Sequence, residues 1–279
     1  MKLPTLPFVF EQTLQRDKVI QKKDKVLIAC SGGPDSVALF HLFRSLDPAW
    51  KLKIGLIHFN HGLRGLSAKM DEKFVQKLGK KFDVPVYCGK GNVKKEAKKN
   101  KESIEEAARK LRYEFFIRTA KRVGYKKIIL GHNQNDQAET VLMRILQGTG
   151  IRGLCGIRKA MKKEGILFYR PLLTVKKQEI LKYLRYQKLP FRTDQSNQSL
   201  KFFRNKIRHR LLPYLEQSLN PRALDALCRI PDALGEEVKA LDVFQVQAWK
   251  SVWPKKVPGV FYSKPKIFSH FHRRFSSRS

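Results

Sequence analysis

One local pattern constrains this chain more than any other. Lys25 to Cys30 reads KVLIAC, Ser31-Gly32-Gly33 interrupts it, and behind Pro34 the apolar residues Val37, Ala38, Leu39, Leu42 and Phe43 recur at helical spacing. A short, unbroken apolar run stopped by glycines suits a strand buried on both faces of a parallel sheet. Proline is pre-shaped for the first turn of a helix, so the unit reads strand, glycine turn, helix.

The unit recurs. Leu52 to His58 is a second predicted strand, Ser67 to Phe82 an amphipathic helix and Val84 to Cys88 a third strand. A long helix follows over Ser103 to Val123, opened by Ser103 with Glu106 three residues on, the reciprocal capping pattern. Lys127 to Gly131 is a fourth strand and Asn135 to Gln147 its helix; Ile166 to Arg170 and Thr174 to Gln187 add another strand and helix. The alternation predicts a doubly wound α/β domain with a mostly parallel sheet and right-handed crossovers. Beyond Leu189-Pro190 the pattern turns helical, over Lys201 to Gln217 and Arg222 to Gln247. The predicted organisation is a catalytic domain over 1–215, a small helical region over 216–249, and a loosely ordered basic tail over 250–279 with eight Lys/Arg and no acid.

Charge narrows the partner. The 279 residues hold 58 Lys and Arg against 24 Asp and Glu, a net +34, far more than solubility asks of a domain, and a polyanion is its natural counterpart. No apolar run approaches the roughly 20 residues of a membrane helix and no secretory leader is recognisable, so a cytoplasmic location, or a plastid stroma, is expected. Cys30, Cys88, Cys155 and Cys228 lie far apart, which argues against a zinc or iron–sulfur site and against a disulfide framework.

In an open parallel sheet ligands gather beyond the carboxyl ends of the strands, where three polar clusters fall: SGGPDS (31–36), HFNHGLRG (58–65) and GHNQNDQAET (131–140). Paired glycines ahead of a helix offer backbone N–H groups to a phosphate, although SGG alone serves equally as a structural turn. Asp35 tips the balance, because a carboxylate beside a phosphate cradle makes sense chiefly as a magnesium ligand. No GK[ST] or GxGxxG accompanies the loop. Asp136 and Glu139 share a helix face one turn apart, with His132 four residues before Asp136. Such residues also cap an ordinary helix; beside a phosphate loop they suggest a second carboxylate pair, for a metal or an amine. Arg109 and Arg112 share a face of the long helix, where they either coat it or clamp a phosphate. Lys90, Lys94, Lys95, Lys98, Lys99 and Lys101 read as a solvated loop one by one, and as a polyanion-binding stretch when taken together.

Six segments in this order complete a family pattern: SGGPDSVAL, HFNHGLRG, SIEEAARKLRYEFF, GHNQNDQAETVLMRILQGTGIRGLCGI, the RPLL of Arg170 to Leu173, and DQSNxxxxxxRNKIRxxLLP from Asp194 to Pro213. Over residues 20 to 215 the chain resembles the tRNA(Ile)-lysidine synthases of the N-type ATP pyrophosphatase superfamily. The resemblance implies an adenine nucleotide alpha hydrolase-like fold and a two-step reaction on a tRNA(Ile) with a CAU anticodon. ATP adenylates the C2 oxygen of the wobble cytidine, then the ε-amine of free lysine displaces AMP. It further implies that Ser31, Gly32, Gly33, Pro34, Asp35 and Ser36, with His58 and Arg109, bind ATP, and that Asp35 and Asp136 hold Mg²⁺. Asp35, Arg112, His132, Asp136 and Glu139 form the catalytic set, in which Asp136 is the expected base, while Lys94, Lys95, Lys98, Lys99, Arg204 and Arg208 face the tRNA. Many members carry Asp where this chain has Asn135, and many are longer, with C-terminal domains whose part in tRNA affinity the basic tail and Lys90 to Lys101 are expected to take over. A homodimer is compatible with the pattern. The alternatives are a tRNA thiolase of the same superfamily, against which the isolated cysteines speak, and a non-catalytic RNA-binding protein.

Overall fold

The computed structural model describes residues 6–63, 65–193, 200 and 202–252, in two compact units that meet in sequence at Leu234 and Gly235. Of the expected basic tail over 250–279, residues 250–252 belong to the last helix, and the part from residue 253 onward, like the DQSN part of the last motif, lies outside the described residues.

Helix α1 (Leu6–Asp17) precedes strand β1 (Lys25–Ala29). The alternation then runs α2 (Pro34–Trp50), β2 (Lys53–Asn60), α3 (Leu66–Lys81), β3 (Val86–Lys90), α4 (Val93–Asn100), α5 (Ile104–Arg122), β4 (Lys127–Ile129) and α6 (Gln134–Leu146). After a short α7 (Ile151–Leu154) come β5 (Ala160–Lys163), β6 (Ile166–Tyr169) and α8 (Lys177–Tyr186). A further helical run comprises α9 (Phe203–Lys206), a π turn (Ile207–Leu211), α10 (Leu212–Tyr214) and a second π turn (Leu215–Leu219), and α11 (Ala223–Val252) closes the described chain.

The six strands form one sheet in the order β3-β2-β1-β4-β6-β5, parallel except for the edge strand β5. Side chains alternate across it. Val26, Ile28, Ile54 and Leu56 point into a core shared with α1, α2, α3 and α8, whereas Leu27, Ile57, Phe59, Ile128 and Phe168 pack on Tyr113, Phe116, Ile117 and Ala120 of α5. Burial on both faces is why these strands read as continuous apolar runs. A smaller cluster joins Ala138 and Leu142 of α6 to Ile207, Leu212 and Leu224.

Three local elements differ from the sequence reading. The Lys-rich stretch after β3 is the helix α4, held by Val93 and Ala97 against Ala107 of α5 and started by Asn92, whose side-chain oxygen accepts from the Lys95 N–H at 3.1 Å. Two apolar residues four apart are too narrow a stripe to stand out among lysines. Strand β5 has no counterpart in the sequence reading either. It pairs with β6 across Glu164-Gly165, both at positive φ (49° and 84°), a two-residue hairpin loop whose sequence signal is the Gly. The glycine segment after α6 contains the single turn of α7.

Candidate active site

From β1 the chain moves outward through β2 and β3, then returns to place β4 on the other side of β1. The carboxyl ends of β1 and β4 therefore border the crevice where strand order reverses, and both polar clusters open into it. Their closeness depends on Gly131. A Cβ there would stand 3.2 Å from the Asp35 carbonyl carbon and 3.3 Å from the Ser36 nitrogen, so any side chain would push the exit of β4 away from the first turn of α2.

The loop after β1 is braced by its own hydroxyls. Gly32 has φ 87°, which favours glycine. The Ser36 hydroxyl donates to the Gly33 carbonyl at 2.9 Å and accepts from the Ser31 N–H at 3.2 Å, and the Gly33 N–H donates to the Ser31 hydroxyl at 3.3 Å. His58 at the end of β2 is buried, with Nδ1 2.8 Å from the Cys30 carbonyl. A carbonyl can only accept, so Nδ1 carries the proton, and His58 supports the loop from beneath. Cys30 is buried as well, and desolvation pushes its thiol up to about 11, which leaves it protonated and unreactive near neutrality.

Four charged side chains close the other wall. Asn133 caps α6: its side chain accepts from the Asp136 N–H, while Asp136 Oδ2 accepts from the Asn133 N–H at 3.0 Å. Asp136 Oδ1 accepts from Arg204 Nη2 at 2.9 Å and from Arg208 Nη2 at 3.1 Å. Glu139, 1% exposed, accepts from Arg204 Nε at 2.7 Å and from Arg208 Nε and Nη2 at 2.6 and 2.9 Å. Burial by itself would raise the Asp136 carboxyl; Arg204, the Asn133 amide and Arg208 together outweigh it and hold the group below the ordinary carboxylate range. Asp136 is thus an anion that already accepts from three donors in this arrangement.

Beside the quartet lies a cluster of arginines. Arg170, 4% exposed, donates from Nε to His132 Nδ1 at 3.1 Å, from Nη1 to the Arg158 carbonyl at 2.8 Å and from Nη2 to the Tyr113 hydroxyl at 2.9 Å. A guanidinium cannot accept, so His132 is neutral at Nδ1; burial, followed by the nearby arginines, drops it to about 3 against the pull of Asp136. Arg112 is close enough to Arg109, Arg170 and Arg204 for each to disfavour its charge, and its Nε is buried with no hydrogen-bond partner among the described residues. Several guanidiniums gathered around an unmatched donor are complementary to an anion. Arg109 is the exposed member of this cluster, its guanidinium 5.8 Å from the Tyr113 ring centre.

Asp35, in the first turn of α2, accepts from Lys177 Nζ at 2.8 and 2.7 Å and from Asn133 Nδ2 at 3.0 Å. Burial and then the Asp136 charge raise its carboxyl, and Lys177 pulls it back. Among the described residues no group of three or more His, Cys, Asp or Glu side chains is gathered to hold a metal by itself. Lys94, Lys95, Lys98 and Lys99 are exposed along α4, while Arg204 and Arg208 point inward to carboxylates. Arg170, Lys177 and Asn133 join the site although no motif in the sequence marks them as site residues. Arg170 follows directly on β6 and Lys177 opens α8, positions at strand exits and helix starts that would have flagged them.

A family model described as a PP-loop domain matches residues 8–215. A tRNA(Ile)-lysidine synthase of Caldanaerobacter subterraneus subsp. tengcongensis is 40% identical over 226 residues, covering 81% of this chain and 48% of its own length. One of Chlorobaculum tepidum is 36% identical, covering 84% of this chain and 70% of its own length. The chain thus spans about half the length of the first of these curated relatives. Among solved structures, a U34-tRNA thiolase, NcsA from Methanococcus maripaludis with its 4Fe-4S cluster, superposes with a TM-score of 0.68 over 82% of this chain and 78% of its own, at 20% identity, a likeness of fold.

Proposed function

The chain belongs to the tRNA(Ile)-lysidine synthase family of PP-loop proteins, and from that premise we propose that it ligates lysine to C2 of the wobble cytidine in the CAU anticodon of a tRNA(Ile), at the expense of ATP. The carrying observation is the meeting, at the β1/β4 crevice, of a braced glycine loop, a cluster of arginines around the buried Arg112 Nε, and the carboxylate pair of Asp136 and Glu139.

In this reading the loop from Ser31 to Ser36 binds the ATP phosphates at the positive end of α2. The cytidine C2 oxygen attacks the α-phosphorus and the bond to pyrophosphate breaks. Arg112 and Arg170, with Arg109 at the rim, stabilise the departing charge in a poorly hydrated site where preorganised donors count most. Neutral His132 keeps the Arg170 fork oriented and adds no competing positive charge. Asp35 fits a magnesium ligand: its raised, cation-seeking carboxylate is held by a side-chain ammonium and could pass to a divalent ion completed by phosphate oxygens. Asp136 fits less well, since its oxygens serve two guanidiniums and an amide. Magnesium there would neutralise phosphate charge.

For the second step, lysine's ammonium competes with Arg204 and Arg208 for Asp136 and Glu139. The amine must shed a proton before it attacks C2, and the C2–O bond to AMP then breaks. Release of one guanidinium from Asp136 would restore the basicity that this proton transfer needs. The decisive experiment combines purified protein, ATP, Mg²⁺, radiolabelled lysine and tRNA. Label should enter RNA with one AMP formed per lysine, and ATP-dependent binding without label transfer would refute the proposal.

A further inference from the structure

Along the α9–α10 run lies an open groove of about 480 Å³, lined by Leu146 of α6 and by Phe203, Lys206, Ile207, Arg210, Leu211 and Tyr214, and not by Arg204 or Arg208. Its floor is Ile207, which is buried, and its walls are the exposed side chains of Phe203, Tyr214 and Leu146. The first π turn, Ile207–Leu211, runs through it, and such widened turns concentrate at functional sites. Lys206 and Arg210 stand among these apolar walls, and neither forms an ion pair with an acid among the described residues. An exposed apolar surface with two aromatic rings and two unmatched cations has a definite chemical complement: a π-face carrying negative charge.

We infer that this groove seats one unstacked base of the RNA substrate, next in sequence to the base that enters the catalytic crevice, with its ring against Phe203 or Tyr214 and its phosphate on Lys206 or Arg210. This rests on the ligase reading above and deepens it. The same turns that send Arg204 and Arg208 to Glu139 send Phe203, Lys206 and Arg210 into the groove, so both sites are positioned by one helical segment. RNA is read mostly where bases are splayed out and stacked on aromatic or guanidinium planes. A second copy of the chain is the poorer occupant, because the cations of two such grooves would meet on molecules that each carry +34.

The test uses the whole chain and an anticodon stem–loop RNA in which 2-aminopurine replaces the adenosine after the wobble cytidine. Binding to the wild-type protein should change the 2-aminopurine fluorescence as the base leaves its neighbours. The double variant Phe203→Leu/Tyr214→Leu keeps the groove apolar but removes both rings; it should bind about tenfold more weakly and lose that change. Circular dichroism and sedimentation verify that the variant is folded. Unchanged affinity and fluorescence in a folded variant overturn the inference, as does a wild-type dimer that the variant dissolves. Lysine incorporation is read in parallel. Label transfer with a silent groove removes the groove alone, whereas a ring-dependent signal without label transfer upholds the groove and removes the ligase reading.

Discussion

Replacing Glu139 with Gln keeps the shape of the side chain and removes one charge at the point where two guanidiniums converge. The carboxylate is 1% exposed and accepts three charge-assisted bonds of 2.6 to 2.9 Å. The amide can accept through its single oxygen only, and its NH₂ would face a guanidinium donor. Breaking a buried pair by removing one partner costs about 3–5 kcal/mol. Because both arginines are 35% exposed and keep Asp136 as a second partner, the lower end applies, about 3 kcal/mol. In a unit of this size that corresponds to a fall of about 6–12 °C in Tm. Urea unfolding should show a lower midpoint at unchanged slope. In a cycle with Arg208→Gln the two losses should be non-additive by about 2 kcal/mol. A loss under about 1 kcal/mol, or simple additivity, would refute the view that the quartet is one buried, mutually dependent network.

Four further outcomes follow from the same geometry. His132, lowered to about 3, and His41, lowered to about 4 by burial and by Lys81 and Arg44, stay neutral in the fold while the unfolded chain takes up protons below about 6.5. Stability should therefore fall as the pH drops below about 6.5, by about 1.4 kcal/mol per unit for the buried His132 and by less for the half-buried His41, whose charge solvent screens, and His132→Gln should remove the larger part of that slope in denaturation measured across the range. Gly131→Ala should weaken ATP binding and cost about 1–3 kcal/mol, seen by nucleotide titration and thermal melting, since its Cβ would press on the Asp35 and Ser36 backbone. Replacing Lys94, Lys95, Lys98 and Lys99 by Ala should reduce the log–log salt slope of tRNA binding by about 0.7–0.9 for every phosphate left without its lysine, and an unchanged slope would take α4 out of the interface. The pair Cys30→Ala/Cys155→Ala should keep label transfer from lysine, whereas a thiolase mechanism would lose its activity.

The main alternation of strands and helices, the glycine loop and the capping box at Ser103 were legible in the chain because each is a local pattern: an apolar run, a helical period, a reciprocal cap three residues apart. The carboxylates at 136 and 139 and the arginines at 204 and 208 were legible as residues, and their order matched a family. Their mutual engagement was not, since no rule of spacing tells that 65 or more residues of chain bring Arg204 onto Glu139. Strand β5 and helix α4 escaped the sequence for the related reason that a pairing partner or a packing surface elsewhere, rather than their own composition, stabilises them.

Sequence alone determined the parallel strand–helix succession, the glycine loop after the first strand and the large positive net charge, because these depend on neighbours a few residues away and on simple sums. Tertiary structure decided which charges face one another: Lys177 on Asp35, Arg170 on His132, and two guanidiniums on Glu139. Burial strengthens electrostatic and hydrogen-bond interactions at short range, so their partners are set by where the β1/β4 crevice folds the chain back on itself, a matter of distance in space that no local pattern records.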